Sequence, residues 1–173
     1  MKRTPRLPTP LLQGRPARSA HHGEPARLVG LGFRYWLTGF RTGDISCWER
    51  AWRAYCEVLG TAGAKIAVGD LSCWVRSINR HSQRDLKTGL VDCARFCRDE
   101  CIAIDMIAAC QHNACPAMRA CAFALLGCSL IDEVVHGAEA FAATMREADQ
   151  VLPPYFGHGA TLLALPTASA TPQ

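Results

Sequence analysis

Seven of the ten cysteines in this 173-residue chain lie between residues 93 and 128, most of them at helical spacing. Thiolates bind soft metal ions, so this stretch holds the residue types most able to carry chemistry. Eight side chains make up the candidate metal-ligand set: Cys93, Cys97, Cys101, Cys110, His112, Cys115, Cys121 and Cys128. The set predicts a non-enzymatic protein that stores a soft metal or assists in assembling a metallocentre.

Three of these thiols form a row. Cys93, Cys97 and Cys101 repeat every four residues, which stacks them along one side of a helix with about 3.6 residues per turn. Such a row suits Cu(I), and it resembles the thiols four residues apart that point into the cysteine-lined four-helix bundles that store copper. Those bundles carry thiol pairs on several helices, whereas this chain concentrates the row on one.

A second group lies at a predicted corner between two helices. Cys110, His112, Cys115 and Cys121 bring nitrogen and sulfur ligands together, and zinc takes four such ligands in a tetrahedron. Iron–sulfur clusters usually take four thiolates, so this group could also hold a cluster with help from the row. The spacing matches no standard zinc-finger or ferredoxin motif. The predicted cofactor is therefore a metal ion, Zn(II) or Cu(I) first, with an iron–sulfur cluster as an alternative.

The same cysteines have a simpler explanation. Free cysteine is among the most buried residue types and packs as a small apolar side chain, so the thiols could fill the core of a structural or regulatory interaction module. His112 would then cap its helix. Cys115 has a third possibility, because a thiol at a helix N-terminus can have a lowered pKa and act in redox chemistry. No C-x-x-C motif accompanies it.

Glu133 and His136 form the Glu-x-x-His pair that di-iron helical bundles use. A complete di-iron site needs a second such pair and two further glutamates, and the chain has no second Glu-x-x-His. The pair therefore favours a solvated stripe on a partly exposed helix.

The composition indicates reduced thiols and a cytoplasmic protein. The N-terminus is basic and proline-rich and lacks the apolar region of about 7 to 15 residues that a signal peptide requires. No apolar run reaches the roughly 18 residues of a membrane span, so no membrane association is predicted.

The positive charge is concentrated in the N-terminal tail. Residues 1–27 hold six of the 19 Lys and Arg residues and one of the 15 Asp and Glu residues, which leaves 13 basic and 14 acidic residues in the body. A near-neutral body argues against specific nucleic-acid binding. The partners considered are a protein, a metal acceptor or, through spare apolar surface, a second copy in a homodimer.

Between the tails the apolar periodicity is helical. It predicts helices over 28–40, from a cap at Asp44 to Gly60, over 63–81, over 84–112 and over 117–149, with a kink or break at 127–129. Ser82 and Asp85 resemble a capping box that begins the fourth helix. Pro116 fits the first turn of the fifth helix, and the second half of the fourth is apolar all round and expected to be buried.

The predicted fold is an all-α, up-and-down bundle of four to five helices with disordered N- and C-terminal tails. Residues 1–26 form the predicted basic tail, residues 27–150 the bundle domain and residues 151–173 an irregular C-terminal tail.

Overall fold

The fold is a bundle of five helices, which confirms the all-α prediction. The computed structural model describes residues 23–154, and the helices in that range are α1 (Glu24–Thr42), α2 (Ile45–His81), α3 (Arg98–Gln111), α4 (Cys115–Leu126) and α5 (Asp132–Glu147). The helix α1 packs on α2 and α3, α2 on α5, and α3 on α4 and α5. Of the tails predicted over residues 1–26 and 151–173, residues 1–22 and 155–173 lie outside the described residues. Residues 24–26, predicted to be disordered, instead form the first turn of α1.

The helices α1 and α2 meet at a short turn that the sequence anticipates. Gly43 ends α1 with a φ of 72°, the left-handed conformation that favours glycine. The Asp44 carboxylate then accepts a hydrogen bond from the Ser46 backbone N–H at 2.9 Å and caps α2 as predicted.

The two helices predicted over 44–60 and 63–81 are the two halves of α2, which meet at a kink at Gly60, the residue predicted to end the first of them. At Gly60 the backbone leaves the helical region, with φ 68° and ψ 169°, and the helix resumes at once. Glycine takes this conformation without steric penalty, so the chain bends there and does not stop. By length and composition α2 could also cross a membrane, a criterion that core helices of water-soluble proteins also meet.

The helix α3 lies at the centre of the bundle. Residues 102–111 are all buried, which confirms the expectation from their apolar sequence. The prediction for the chain preceding α3 was wrong, because the helix predicted to start at Arg84 begins only at Arg98. Ser82 is the C-cap of α2, not the start of a helix, and Leu90, within the span predicted as helix, is 83% exposed.

A buried ion pair accounts for the non-helical path of residues 82–97. The Arg34 guanidinium and the Glu100 carboxylate are fully buried and form a bidentate pair with N–O distances of 2.7 and 3.0 Å. The remaining guanidinium N–H groups donate to the carbonyls of Leu90 at 3.0 Å, Cys93 at 2.5 Å and Arg95 at 2.6 Å. All five N–H donors of the Arg34 guanidinium are thus used. The three carbonyls that accept from them form no helical hydrogen bonds. Burial alone would lower the pKa of Arg34, but the hydrogen bond and charge of Glu100 raise it overall.

Glu100 is equally well satisfied. Its Oε1 accepts from the Gly89 backbone N–H at 2.9 Å and its Oε2 from the Cys97 N–H at 2.7 Å. The Phe96 ring lies 5.3 Å from the Arg34 guanidinium. A Cβ at Gly89 would lie 2.7 Å from Arg34 Nη2, so the segment approaches closely only because this residue is glycine.

A second arginine–carboxylate pair anchors the other end of the segment. Arg84 donates to both Asp99 oxygens, at 2.6 and 3.2 Å, and its Nε donates to the Ala124 carbonyl at 2.7 Å. Asp99 also accepts from the Lys87 N–H at 2.7 Å. Because Asp99 and Glu100 are in the first turn of α3, both negative charges also face the positive end of the helix dipole.

The long fifth helix predicted over 117–149 is divided into α4 and α5, which confirms the expected break. Gly127 ends α4 with a φ of 68°. Pro116 lies in the first turn of α4, as predicted.

The described part of the C-terminal segment is irregular but anchored. Leu152 is buried, and its N–H donates to the Gln111 side-chain oxygen at 2.8 Å. The Gln111 amide in turn donates to the Gln150 carbonyl at 2.9 Å. Residues 150–152 therefore belong to the bundle, although the sequence placed its boundary at 150.

We expect Arg34→Met to lower the free energy of unfolding by about 3–5 kcal/mol, because it leaves the Glu100 carboxylate buried without its cation. Urea denaturation at neutral pH measures the change. Arg50→Met is the matched control, since Arg50 binds Asp92 of the same segment at 2.7 Å but in an exposed pair. The double variant Arg34→Met with Glu100→Leu should lose less stability than the sum of the two single variants. Equal urea midpoints for Arg34→Met and Arg50→Met would contradict this account.

Candidate functional site

The eight predicted ligands are spread over two helices and three connecting segments. Cys93 and Cys97 lie in the 82–97 segment, Cys101 and Cys110 in α3, Cys115 and Cys121 in α4, while His112 and Cys128 follow α3 and α4. Within residues 23–154, no three His, Cys, Asp or Glu side chains are grouped so that they could hold a metal ion. All ten cysteines are free thiols.

The helical row of three thiols does not form, because α3 starts too late in the sequence. Cys93 lies in the segment that wraps Arg34, and Cys97 is the N-cap residue of α3. The Cys97 thiol donates to the Lys87 carbonyl at 3.1 Å. Only Cys101 is inside the helix, so the regular spacing in sequence does not become a regular spacing in space.

In two residues of the row, Cys97 and Cys101, burial favours the protonated thiol. Burial raises the pKa of Cys101 to about 11, with a further contribution from the negative charge of Asp105. Burial also raises the pKa of Cys97. Near neutral pH both are thiols, and metal ligation would require proton release.

At the corner between α3 and α4 the four candidate side chains divide into two kinds. Cys110 and Cys121 are buried between the helices, whereas His112 and Cys115 are exposed. Burial raises the pKa of both buried thiols to about 12. The charge of Glu139 adds to the effect at Cys110, and that of Asp105 adds to it at Cys121.

His112 is committed to the fold. Its ring Nε2 lies 2.7 Å from the Leu152 carbonyl oxygen. A carbonyl only accepts, so Nε2 carries the proton and donates. His112 is the C-cap residue of α3, as the simpler explanation expects, but its side chain bonds the C-terminal segment.

The remaining candidates lie apart from this corner. Cys115 is exposed at the start of α4, where sequence reasoning placed it. Cys128 is half-buried, and its thiol contacts the His81 carbonyl at 3.8 Å. The redox role considered for Cys115 stays a prediction.

The Glu-x-x-His pair lies on the surface, as predicted. Glu133 binds His81 at 2.8 Å and lies 3.9 Å from Arg80, and its side chain is 56% exposed. His136 is exposed on the same helix.

Sequence reasoning missed the residues that organise the 82–97 segment and the start of α3, namely Arg34, Arg84, Asp99 and Glu100. Two signals were present: an arginine flanked by aromatic residues within an apolar helix, and an Asp-Glu pair between two cysteines. Neither signal identifies its partner, because Arg34 and Glu100 are 66 residues apart in the chain.

The outer surface carries several exposed large apolar side chains. The most exposed large apolar side chains of the described chain are Ile45, Trp52, Ile66, Leu90, Phe123, Leu130 and Val151. Trp52, in the first half of α2, is 39% exposed. Ile45, Trp52, Ile66 and Phe123 are in helices, whereas Leu90, Leu130 and Val151 lie in the segments between or after the helices.

Comparison with known proteins gives no relative. No protein-family model, curated protein or solved structure matches the chain.

We expect the stability of the fold to decline above pH 9 because of the buried thiols. The folded pKa values of Cys110 and Cys121 are about 12, above the ordinary value of 9.0, so folding favours their protonated forms. Their contribution is complete below pH 9 and is lost as the pH rises toward 12, at up to about 1.4 kcal/mol per pH unit for each thiol.

Urea midpoints between about pH 8 and about pH 11 measure this slope. Cys121→Ala should make the decline shallower, whereas Cys73→Ala, which removes an exposed thiol, should leave it unchanged. Equal slopes in the wild type and Cys121→Ala would contradict the prediction.

Proposed function

We propose that this protein is a non-catalytic helical interaction module whose buried cysteines are core residues. The observation that carries the proposal is the group of large apolar side chains left exposed on a bundle whose core is already closed. Ile66 is 62% exposed, Phe123 56% and Leu130 70%. Isolated exposed apolar residues are common, but several large ones, with Ile66 and Phe123 on helices, are typical of a protein that contacts a partner.

The thiol geometry supports this proposal. Cys47, Cys110 and Cys121 are buried in the bundle, where thiols pack as small apolar side chains. Burial raises the pKa of each, which disfavours nucleophilic or redox use near neutral pH.

The buried charges support it as well. Arg34, Glu100 and Asp99 have their hydrogen-bonding capacity taken up by the 82–97 segment and by each other. Groups held in this way serve the fold, because their donors and acceptors are not turned toward a ligand.

Soft-metal storage or metallocentre assembly is a second proposal with one specific observation behind it. Cys110 and Cys121 are close enough across the α3–α4 contact for their charges to interact. Two thiolates can bind Cu(I) or Zn(II), and the metal would have to displace both protons. A partner that accepts the metal would then be required.

Thiol modification with and without metal separates the two proposals. In the reduced protein kept free of oxygen, we expect the exposed thiol of Cys115 to react quickly with an alkylating reagent. Cys110 and Cys121 should react only as the protein unfolds, as read by mass spectrometry of peptides. Equimolar Zn(II) or Cu(I) should change neither this pattern nor the melting temperature.

Metal binding would show the opposite result. A rise in melting temperature with metal, lost in Cys121→Ser and retained in Cys73→Ser, would support the metal proposal and overturn the interaction-module proposal as stated.

A further inference from the structure

The second half of α2 exposes a narrow apolar face. Ala62, Ile66, Gly69 and Cys73, here called the α2 stripe, recur at intervals of four, three and four residues, and all four are exposed. This is the spacing of the two apolar positions of a heptad repeat, a and d, along which parallel helices pair. A Cβ added at Gly69 would have no atom within 4 Å, so the space above the stripe is open.

The opposite face of the helix is already used. Its core-facing residues are Ala64, Ala67, Leu71, Trp74, Val75 and Ile78, all fully buried. The helices α1 and α5 pack against that side. A helix with one buried face normally presents polar residues outward, whereas α2 presents Ile66 between small residues.

The charges beside the stripe are complementary between two copies. Lys65 precedes Ile66 at the heptad position called g, and Asp70 follows Gly69 at position e. Lys65 forms no ion pair with a residue of the described chain. Asp70 accepts a hydrogen bond from Thr144 through Oδ2 at 2.6 Å, which leaves its Oδ1 to accept from a partner. In a parallel pair, position g of one helix faces position e, five residues later, of the other.

We propose that the α2 stripe is the interface of a parallel homodimer with two-fold symmetry. Lys65 of each copy faces Asp70 of the partner copy, which gives two ion pairs by symmetry. Ile66 packs on its symmetry mate, Gly69 permits close approach of the backbones, and Cys73 lies opposite the partner copy's Cys73. An antiparallel pair would place g against g and e against e, and the complementarity would be lost.

The contact ends after Cys73. Arg76 stacks on Phe40 of its own chain, 5.7 Å from the ring centroid, and Arg80 lies 3.9 Å from Glu133 of its own chain. Two copies of these arginines would repel, so the helices diverge there. Membrane insertion of α2 is disfavoured, because Lys65 and Asp70 lie in the middle of its apolar stretch.

This inference rests on the proposed function and names its partner as a second copy of the chain. The two can fail separately. Metal-dependent stabilisation through Cys121 would overturn the interaction-module proposal whatever the oligomeric state. A strictly monomeric protein with unreactive buried thiols would overturn only the dimer proposal.

Sedimentation equilibrium of the reduced full-length chain tests the interface. We expect a monomer–dimer equilibrium that Ile66→Asp weakens about tenfold or more, because it places a charge in the centre of the contact. Phe123→Asp is the matched control on α4 and should leave the equilibrium unchanged. Lys65→Asp should weaken the dimer, and adding Asp70→Lys should restore it. Melting temperatures confirm that each variant is folded.

Disulfide trapping tests the parallel register. Oxidised glutathione can oxidise the Cys73 thiols of two neighbouring copies to one intermolecular disulfide. It accepts two electrons and two protons from the thiols and becomes two molecules of reduced glutathione. We expect a covalent dimer that Cys73→Ser abolishes and Cys115→Ser retains. Any one of three results would overturn the proposal. The first is a monomer throughout the accessible concentration range, and the second is a dimer that charge exchange does not restore and Cys73 does not trap. The third is flotation of the protein with phosphatidylcholine–phosphatidylglycerol vesicles that depends on Ile66.

Discussion

The buried pair of Arg34 and Glu100 is the interaction on which the rest of the structure depends. A guanidinium and a carboxylate removed from water are tolerated only when every donor and acceptor is satisfied. Five protein groups besides the two charges meet that requirement here, and all come from the 82–97 segment. The pair therefore determines the course of a long non-helical connection, the residue at which α3 begins and the way α1 is attached to α3.

The arrangement of the thiols follows from this constraint. Because Glu100 bonds the Cys97 N–H in the first turn of α3, the helix cannot extend backward through Cys93. Cys110 and Cys121, further along, are enclosed between α3 and α4 and stay protonated near neutral pH. The row and the corner group that the sequence suggests are thus divided among separate surroundings in the fold. The exposed large apolar side chains lie on α2 and α4 and in the segments that contain Leu90, Leu130 and Val151.

Local patterns in the sequence were sufficient for most of the helical framework. The Asp44 cap, the break at Gly127, the Pro116 start and the burial of residues 102–111 depend on neighbours within a few residues, so periodicity and turn chemistry predict them. The 82–97 segment was wrongly predicted as helix because its conformation depends on Arg34, about 60 residues away in the chain. The row of Cys93, Cys97 and Cys101 was inferred from spacing along that false helix, and spacing carries information about distance only where the helix exists.

Hydrogen exchange of individual amides tests the central claim most directly. If the Arg34–Glu100 pair makes the 82–97 segment part of the core, the Gly89 and Cys97 amides that donate to Glu100 should exchange only through global unfolding. Their protection would then match that of Ile107 in the buried centre of α3 and respond to urea with the same slope. Rapid exchange of Gly89 and Cys97, insensitive to urea while Ile107 remains protected, would show that the segment opens locally and would contradict the account.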